Sequence, residues 1–309
     1  MKKLLLILIS FLPLLSWSQP KKLNAEDLSI TPLIDGTLLV PEEQGKMALA
    51  ILIGGSGPTD RNGNQQMVVN NSLRFLAEGL YENGIATFRY DKRIVKQMKK
   101  RTIDERNIRF EDFIDDAIAV VDYFKNDPRF SKIVIVGHSQ GSLVGMVAAQ
   151  KGVDGFVSIA GTGQEIDDVI VDQLKNQAPG LADSARTAFD DLRANGVASN
   201  YSPGLASIFR KEIQPFILSW MQFDPKEELP KLQCPVLIIN GDKDIQVQVS
   251  EAELLHQAKP EAEFKIISKM NHIFKEIEGN DLENSKSYNI YNLPVMPELI
   301  AVVSTFIKK

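Results

Sequence analysis

Residues 132–145, KIVIVGHSQGSLVG, contain the pattern that decides the fold. Residues 133–136 are an unbroken β-branched run, which is typical of a strand buried on both faces. The turn GHSQG at 137–141 follows, and the apolar residues through Ala149 predict a buried helix. A serine between two glycines at a strand-to-helix turn is the arrangement known as a nucleophile elbow.

The serine of this turn is Ser139, and the two glycines around it have a steric purpose. The turn is strained, so a side chain two residues before or after the serine would collide with the neighbouring strand or helix. The alternative is that Ser139 only caps the following helix, a role that serine favours. That interpretation leaves Gly137, Gly141 and the buried strand unexplained, so we interpret Ser139 as a nucleophile.

Strands and helices alternate along most of the chain. Strands are predicted at 33–40, 47–53, 85–89, 133–136, 155–160, 235–240 and 263–268, and helices at 72–83, 110–124, 142–149, 251–258 and 296–306. The alternation indicates an α/β fold with a mostly parallel sheet and helices on both faces. With 309 residues, the chain can form one large domain with an insertion.

The alternation breaks at about 161–232, where helical patterns follow one another without a strand between them. This segment carries the large side chains Phe209, Phe216, Trp220, Met221 and Phe223. We predict a helical cap insertion over a pocket. The alternative is that these side chains only pack the insertion onto the sheet.

Residues 1–18 have the features of a signal peptide. Lys2 and Lys3 precede an apolar run at 4–15, and Ser16 and Ser18 place small residues where a signal peptidase cleaves. We predict cleavage before Gln19, export to the periplasm or the medium, and a hydrolase domain at 19–309. The run is too short for a comfortable membrane span, so no stable membrane insertion is expected after cleavage. A retained anchor is the alternative.

Composition excludes several classes of partner. The net charge of −5 argues against nucleic acid, which requires a basic face. The single cysteine, Cys234, rules out an internal disulfide framework and is interpreted as a small buried side chain. Without paired cysteines and with scattered histidines, no metal site is expected. One basic cluster, interpreted as a solvated loop, comprises Lys92, Arg93, Lys96, Lys99, Lys100 and Arg101.

A serine hydroxyl needs a base within hydrogen-bond reach and a third group that orients the base. In a parallel sheet, the residues that follow the strands meet at one edge. Ser139, Asp244 and His272 each follow a predicted strand, in the order serine, acid, histidine that this architecture uses. We therefore predict that these three residues form a catalytic triad.

Other residues compete for two of these roles. Asp242 is an alternative acid, but it lies closer to the strand end, where it more plausibly turns the loop. His256 lies within an amphipathic helix, which is typical of a surface residue. His138 is adjacent to the serine and is directed elsewhere by the elbow. We favour Asp244 and His272.

The glycine-rich loop at 54–63, GGSGPTDRNG, follows another buried strand. It has neither of the glycine spacings that cradle phosphates, so no cofactor is expected. Backbone N–H groups in such a loop can instead bind a developing oxyanion. We predict that the N–H groups of Ser56 and Gln140 converge as an oxyanion hole.

Five motifs together resemble the α/β-hydrolase superfamily: GGSGPTDRNGN at 54–64, FRYDKR at 88–93, GHSQG at 137–141, CPVLIINGDKDIQV at 234–247 and MNHIFKE at 270–276. They are similar to a group of bacterial carboxylesterases known as serine aminopeptidase-like or dienelactone-hydrolase-like. The resemblance covers nearly all of the chain after the leader. It implies the same triad and the same oxyanion donors.

The sequence departs from these esterases at two places. Gly54-Gly55 stands where they usually have His-Gly, a histidine that commonly braces the oxyanion loop. Arg93 is followed by Ile94 rather than by the R-G-x-G that is frequent in relatives. Arg61, Asp91 and Arg93 are interpreted as one structural cluster of charges beneath the site.

The resulting hypothesis is an exported serine hydrolase that cleaves a small-molecule carboxylic ester through an acyl-enzyme. A peptidase or a thioesterase would use the same residues with a different pocket. A non-catalytic binding protein on a hydrolase scaffold is the alternative from another class.

Overall fold

The computed structural model describes residues 23–42 and 45–309, and the predicted signal peptide lies outside them. The described residues contain an eight-stranded sheet. Its strands are β1 Ala25–Ser29, β2 Asp35–Leu39, β3 Met47–Ile53, β4 Ala86–Tyr90, β5 Phe130–His138, β6 Gly155–Ile159, β7 Val236–Gly241 and β8 Glu263–Ile267.

Helices follow most of these strands. The α-helices of the described residues are α1 Ser72–Glu82, α2 Arg93–Lys100, α3 Glu111–Phe124, α4 Gln140–Ala149, α5 Ile166–Gln177, α6 Ala182–Asn195, α7 Ala206–Phe209, α8 Gln214–Trp220, α9 Pro225–Glu228, α10 Val249–Ala258, α11 Asp281–Ser287 and α12 Pro297–Lys308. Among these residues, no helix combines the length and the apolar character needed to cross a bilayer.

The strand order across the sheet is β1-β2-β4-β3-β5-β6-β7-β8. The pairs from β4 to β8 are parallel, whereas β1 and β2 form an antiparallel hairpin at one edge. The strands β5, β6, β7 and β8 are neighbours and run in the same direction. The segments that follow them therefore lie side by side at the carboxyl-terminal ends of the strands.

Side chains of each central strand alternate between two apolar cores. In β3, Leu49, Ile51 and Ile53 belong to one core, and Ala50 and Leu52 belong to the other. Helices α3 and α4 contribute to the first core, and α1 and α12 to the second. Burial on both faces explains why the strand sequences are continuously apolar rather than alternating.

The predicted fold class is confirmed: a mostly parallel sheet has helices on both faces, and the chain between β6 and β7 is helical. Outside the helical insertion, three strands or α-helices were not predicted. The edge strand β1 is almost wholly exposed, and α2 has one buried residue, Val95, so neither has a clear apolar pattern. Helix α11, with the sequence DLENSKS, is similarly polar.

Candidate active site

Ser139 lies between β5 and α4 with φ 54° and ψ −123°, a backbone conformation that an L-residue rarely adopts. The flanking glycines permit this turn. A Cβ at Gly137 would overlap the carbonyl oxygen of Gly141, and a Cβ at Gly141 would overlap that of Ile53. The strained elbow that the sequence predicts is therefore present, and both glycines are required by backbone packing.

His272 and Asp244 meet across the loops after β8 and β7. The Nδ1 atom of His272 is 2.8 Å from Oδ2 of Asp244, and both side chains are buried. The other carboxylate oxygen, Oδ1, accepts hydrogen bonds from the backbone N–H groups of Gln246 and Val247, each at 2.8 Å. The carboxylate is thus fixed by three contacts, and it holds the histidine ring by Nδ1.

Ser139 and His272 line one cavity of about 290 Å³, together with Gly55 and Ser56. Within the described part of the chain, no hydrogen bond joins the Ser139 hydroxyl to the His272 ring. Catalytic hydrogen bonds often shorten only when substrate binds. Proton transfer between these two groups therefore requires the serine side chain to approach Nε2 in the substrate complex.

The competing acid and base lie elsewhere. Asp242 is exposed, and its carboxylate accepts from the backbone N–H of Lys269 at 2.6 Å and from the Ser268 hydroxyl at 3.0 Å. It therefore organises the loop after β8. His256 stacks on Phe264 with ring centroids 4.8 Å apart, in α10. Neither residue lines the cavity that contains Ser139.

The loop that carries His272 is held by the buried side chain of Asn271. Its Oδ1 accepts from the backbone N–H of Lys275 at 2.9 Å, and its Nδ2 donates to Asn284 and Ser287 of α11, each at 2.9 Å. The Nδ2 of Asn284 in turn donates to the carbonyl of Lys243 at 2.6 Å. This network ties the histidine loop to the segment that bears Asp244.

His138 is closer to the site than the sequence indicates. It lines the cavity that contains Ser139, and its ring centroid is 4.8 Å from that of His272. Burial lowers the pKa of His138 to about 3, so the ring is neutral at physiological pH. Its Nε2 is 2.9 Å from the carbonyl oxygen of His272. Because a carbonyl can only accept, the proton of the neutral ring is on Nε2, which donates it to this oxygen. His138 braces the backbone of the histidine loop.

The loop after β3 passes beside the serine. A Cβ at Gly55 would lie 3.2 Å from the Cβ of Ser139, so the backbone of this loop closely approaches the elbow. The carbonyl of Ser56 accepts from the Thr59 hydroxyl and from Nε2 of Gln65, each at 2.8 Å. These contacts turn the carbonyl of Ser56 into the loop. Gln140 is the first residue of α4, where backbone N–H groups have no intrahelical partner.

Lys92 contradicts our interpretation of the basic cluster as a solvated loop. Its side chain is buried, with 5% of the residue exposed, and Nζ donates to Oε1 of Gln140 at 2.6 Å and to the carbonyl of Gly55 at 2.9 Å. The ring of Phe113 lies 4.5 Å from Nζ. Lys92 thus joins the loop after β3 to the elbow helix. It braces the loop that has Gly54-Gly55 in place of His-Gly.

The rest of the basic cluster is also not a loop, since it forms α2. Arg93 pairs with Asp112 at 2.6 Å and with Asp116 at 2.7 Å, on α3, while Lys99, Lys100 and Arg101 are exposed. The predicted charged cluster of Arg61, Asp91 and Arg93 is therefore wrong for Arg93, whereas Arg61 and Asp91 do form an ion pair.

Arg61 pairs instead with Asp91 at 3.0 Å and with Asp27 of β1 at 3.0 Å. It thereby fixes the loop after β3 to the antiparallel edge of the sheet.

The burial of Lys92 leads to a prediction about stability and pH. Burial lowers the pKa of Lys92 to about 7 in the folded protein, against 10.5 for an ordinary lysine. Between these two values, the unfolded chain binds a proton that the folded chain has released, so stability increases with pH. We expect the free energy of unfolding of the wild type to rise relative to that of Lys92→Met by roughly 1 kcal/mol per pH unit above about pH 7.

Urea unfolding of both proteins between about pH 6 and pH 9 measures this difference. Lys100→Met is the control, because Lys100 is exposed at the end of the helix that follows Lys92 and its replacement should leave the pH dependence of the wild type unchanged. Parallel pH curves for the wild type and Lys92→Met would contradict the prediction.

A second cavity, of about 460 Å³, lies on the other side of the loop after β3 and is mainly apolar. Ser56 and Gln140 are in its wall, whereas Ser139 and His272 are not. The insertion contributes Ile213, Phe216 and Trp220 to it. The chain between β6 and β7 therefore contributes to the wall of a pocket next to the two predicted oxyanion donors, and it also packs on the sheet core through buried residues such as Phe209.

The remaining candidate groups are away from these cavities. Cys234 is half-buried with a free thiol, whose pKa is raised by burial. Over residues 23–42 and 45–309, no group of three or more His, Cys, Asp or Glu side chains has a geometry that could hold a metal ion.

The chain belongs to the alpha/beta hydrolase family, whose sequence model matches residues 100–274, more than half of the chain. The match includes the elbow at Ser139 and the loop of His272.

Among curated proteins, the chain is similar to Esterase EstD of Thermotoga maritima, with 28% identity over 278 residues and 84% of this chain covered. The aligned chain spans 62% of the length of that esterase.

Solved structures with this fold have differing names. Est1E from Butyrivibrio proteoclasticus has a TM-score of 0.55 at 18% identity, covering 92% of this chain and 96% of its own. A bromoperoxidase from Bacillus anthracis has a TM-score of 0.52 at 16% identity, covering 92% of this chain and 100% of its own. At these identities the likeness concerns the fold, so activity has to be argued from the site.

Proposed function

We propose that the protein is an exported serine hydrolase that cleaves carboxylic esters through an acyl-enzyme, with Ser139, His272 and Asp244 as its catalytic triad. The hydrogen bond between His272 and Asp244, at the wall of the cavity that contains Ser139, is the observation that carries this proposal. Similarity to an esterase supports it. Export with cleavage before Gln19 rests on residues 1–18, and a mature protein that still carries these residues, as determined by mass spectrometry, would contradict the cleavage.

In the proposed first step, Nε2 of His272 takes the proton of the Ser139 hydroxyl, and Oγ attacks the carbonyl carbon of the ester. Asp244 keeps the proton of His272 on Nδ1, which leaves Nε2 free to accept. The backbone N–H groups of Ser56 and Gln140 stabilise the oxyanion of the tetrahedral intermediate. Lys92 is a positioning residue, since it holds the carbonyl of Gly55 and the side chain of Gln140 in place.

His272 then gives its proton to the leaving alcohol, and the acyl group stays on Ser139. In the second half-reaction, His272 activates a water molecule that attacks the acyl carbon and releases the acid. Amide and thioester substrates would use the same steps. Turnover of aminoacyl-nitroanilides and acyl-thioesters, compared with that of p-nitrophenyl esters, distinguishes these activities, and we expect the p-nitrophenyl esters to react fastest.

The apolar cavity of about 460 Å³ is assigned to the acyl group. An acyl carbonyl with its oxygen at the N–H groups of Ser56 and Gln140 has its chain next to this cavity, whose wall contains both residues. Most of the remaining wall residues are apolar and include Phe113, Phe216 and Trp220, while Lys92, Glu105 and Arg210 are its charged members. Apolar acyl chains longer than acetyl are therefore the expected substrates.

We expect kcat/KM to rise from p-nitrophenyl acetate to p-nitrophenyl hexanoate, by up to roughly fourfold for each methylene that enters the cavity. Ile213→Trp should reduce this rise, because the larger side chain fills the cavity. Leu282→Trp is the control, since Leu282 is exposed on α11 and does not line the cavity. An equally steep rise in Ile213→Trp and the wild type would contradict the assignment.

A further inference from the structure

The cavity that contains Ser139 and His272 differs in chemistry from the acyl cavity. Several of its wall residues are polar, and they come from three separate segments of the chain. They include Gln65, Asn70 and Ser72 after β3, Gln246 after β7, and Tyr288 after α11. Its volume of about 290 Å³ is enough for a small organic group.

The catalytic steps decide which half of an ester occupies this cavity. His272 has to protonate the leaving oxygen, so the alcohol part must lie on the side of the histidine ring. The histidine lines the polar cavity and is absent from the wall of the acyl cavity. The polar cavity is therefore the place of the alcohol part.

Asn70 has an unused hydrogen-bond donor in this cavity. Its residue is 2% exposed, and its Oδ1 accepts from the backbone N–H of Ser72 at 3.0 Å. This bond fixes the orientation of the amide, because only the oxygen can accept. No group among residues 23–42 and 45–309 accepts a hydrogen bond from Nδ2 of Asn70. Nδ2 is not one of the fully enclosed atoms that lack a partner, so it is open to the cavity and available to a ligand.

Tyr288 supplies a second polar group. Its hydroxyl accepts from Nε2 of Gln246 at 3.0 Å and can still donate its own hydrogen. Burial raises the pKa of Tyr288, so the hydroxyl keeps this hydrogen at neutral pH. An amide donor and a phenol donor in one small cavity are suited to the oxygens of a hydroxylated ligand.

We propose that this cavity selects esters of polyhydric alcohols, with Asn70 and Tyr288 as hydrogen-bond donors to hydroxyl oxygens of the leaving alcohol. The inference rests on the proposed esterase function and adds the chemical class of the alcohol. The substrate then has two unlike halves, an apolar acyl chain and a hydroxylated alcohol. The two cavities adjoin at Ser56, which lines both.

The test compares 1-monohexanoylglycerol with propyl hexanoate, since the two esters differ only by the hydroxyls of the alcohol. We expect the wild type to prefer the glycerol ester in kcat/KM, and Asn70→Ser to lower this preference by roughly three- to tenfold. The serine hydroxyl can still accept from the Ser72 N–H, as in related turns, but the amide donor is lost. Tyr288→Phe should also lower the preference for the glycerol ester, and it provides the test if Asn70→Ser does not fold.

Gln66→Ser is the matched control, because Gln66 is exposed in the same loop and does not line the cavity. It should keep the preference of the wild type. Suppose that the wild type hydrolyses p-nitrophenyl hexanoate. An unchanged preference in folded Asn70→Ser or Tyr288→Phe would then overturn this inference and leave the proposed function standing. Absence of any ester hydrolysis by the wild type would instead overturn the proposed function.

Discussion

Ser139→Ala is expected to lower kcat for p-nitrophenyl hexanoate by roughly 10⁶, as for serine hydrolases that lose their nucleophile. The acyl-enzyme cannot form without Oγ, and the remaining N–H groups of the oxyanion site give only weak residual catalysis. The fold should be unaffected, because alanine has the same backbone requirements as serine at this strained turn. Thermal unfolding therefore checks that the variant protein is folded before its kinetics are compared.

Ser285→Ala is the control, because Ser285 is exposed on α11 and far from the elbow in sequence. It should have wild-type activity. A fluorophosphonate probe should label the wild type and Ser285→Ala but not Ser139→Ala. Equal hydrolysis by Ser139→Ala and the wild type would exclude Ser139 as nucleophile. Failure of the wild type to be labelled or to hydrolyse esters would favour a binding protein on a hydrolase scaffold.

The elbow and the positions of most strands along the chain could be predicted because their signals are local. Residues 133–136 are a β-branched run followed by GHSQG, and the same kind of apolar run precedes the loops of Ser56 and Asp244. Parallel strands then bring loops together that are distant in sequence. Topology alone thus predicts that Asp244 and His272 approach one another, and their separation of 2.8 Å agrees with it.

Lys92 and Asn70 could not be recognised in this way. Lys92 is followed by a helix with one buried residue, so its sequence context is that of an exposed segment. Its burial arises from contacts with Gly55 and Gln140, which come from other parts of the chain. Asn70 similarly lies in a polar loop, and its position in the cavity depends on the segments that bear His272 and Tyr288. A polar residue of this kind is identified only when its distant neighbours are known.

Asp244→Asn is expected to lower kcat by roughly 10⁴ while leaving the fold intact. The structure dictates the orientation of the new amide. The backbone N–H groups of Gln246 and Val247 both donate to the atom at the position of Oδ1. That atom must be an acceptor, so the oxygen of the new amide takes this position. The NH₂ group then faces Nδ1 of His272 and donates to it. The histidine proton is forced onto Nε2, and Nε2 can no longer accept the proton of Ser139.

Asp242→Asn is the matched control for this change. The two aspartates are separated by one residue, but the carboxylate of Asp242 faces Ser268 and Lys269 at the surface rather than the histidine. We expect Asp242→Asn to change kcat by no more than about twofold, because surface substitutions have small effects. If Asp242→Asn lost as much activity as Asp244→Asn, or if Asp244→Asn kept wild-type kcat, the carboxylate of Asp244 would not be the group that sets the tautomer of His272. A loss confined to Asp244→Asn would place that role on the one carboxylate bonded to Nδ1.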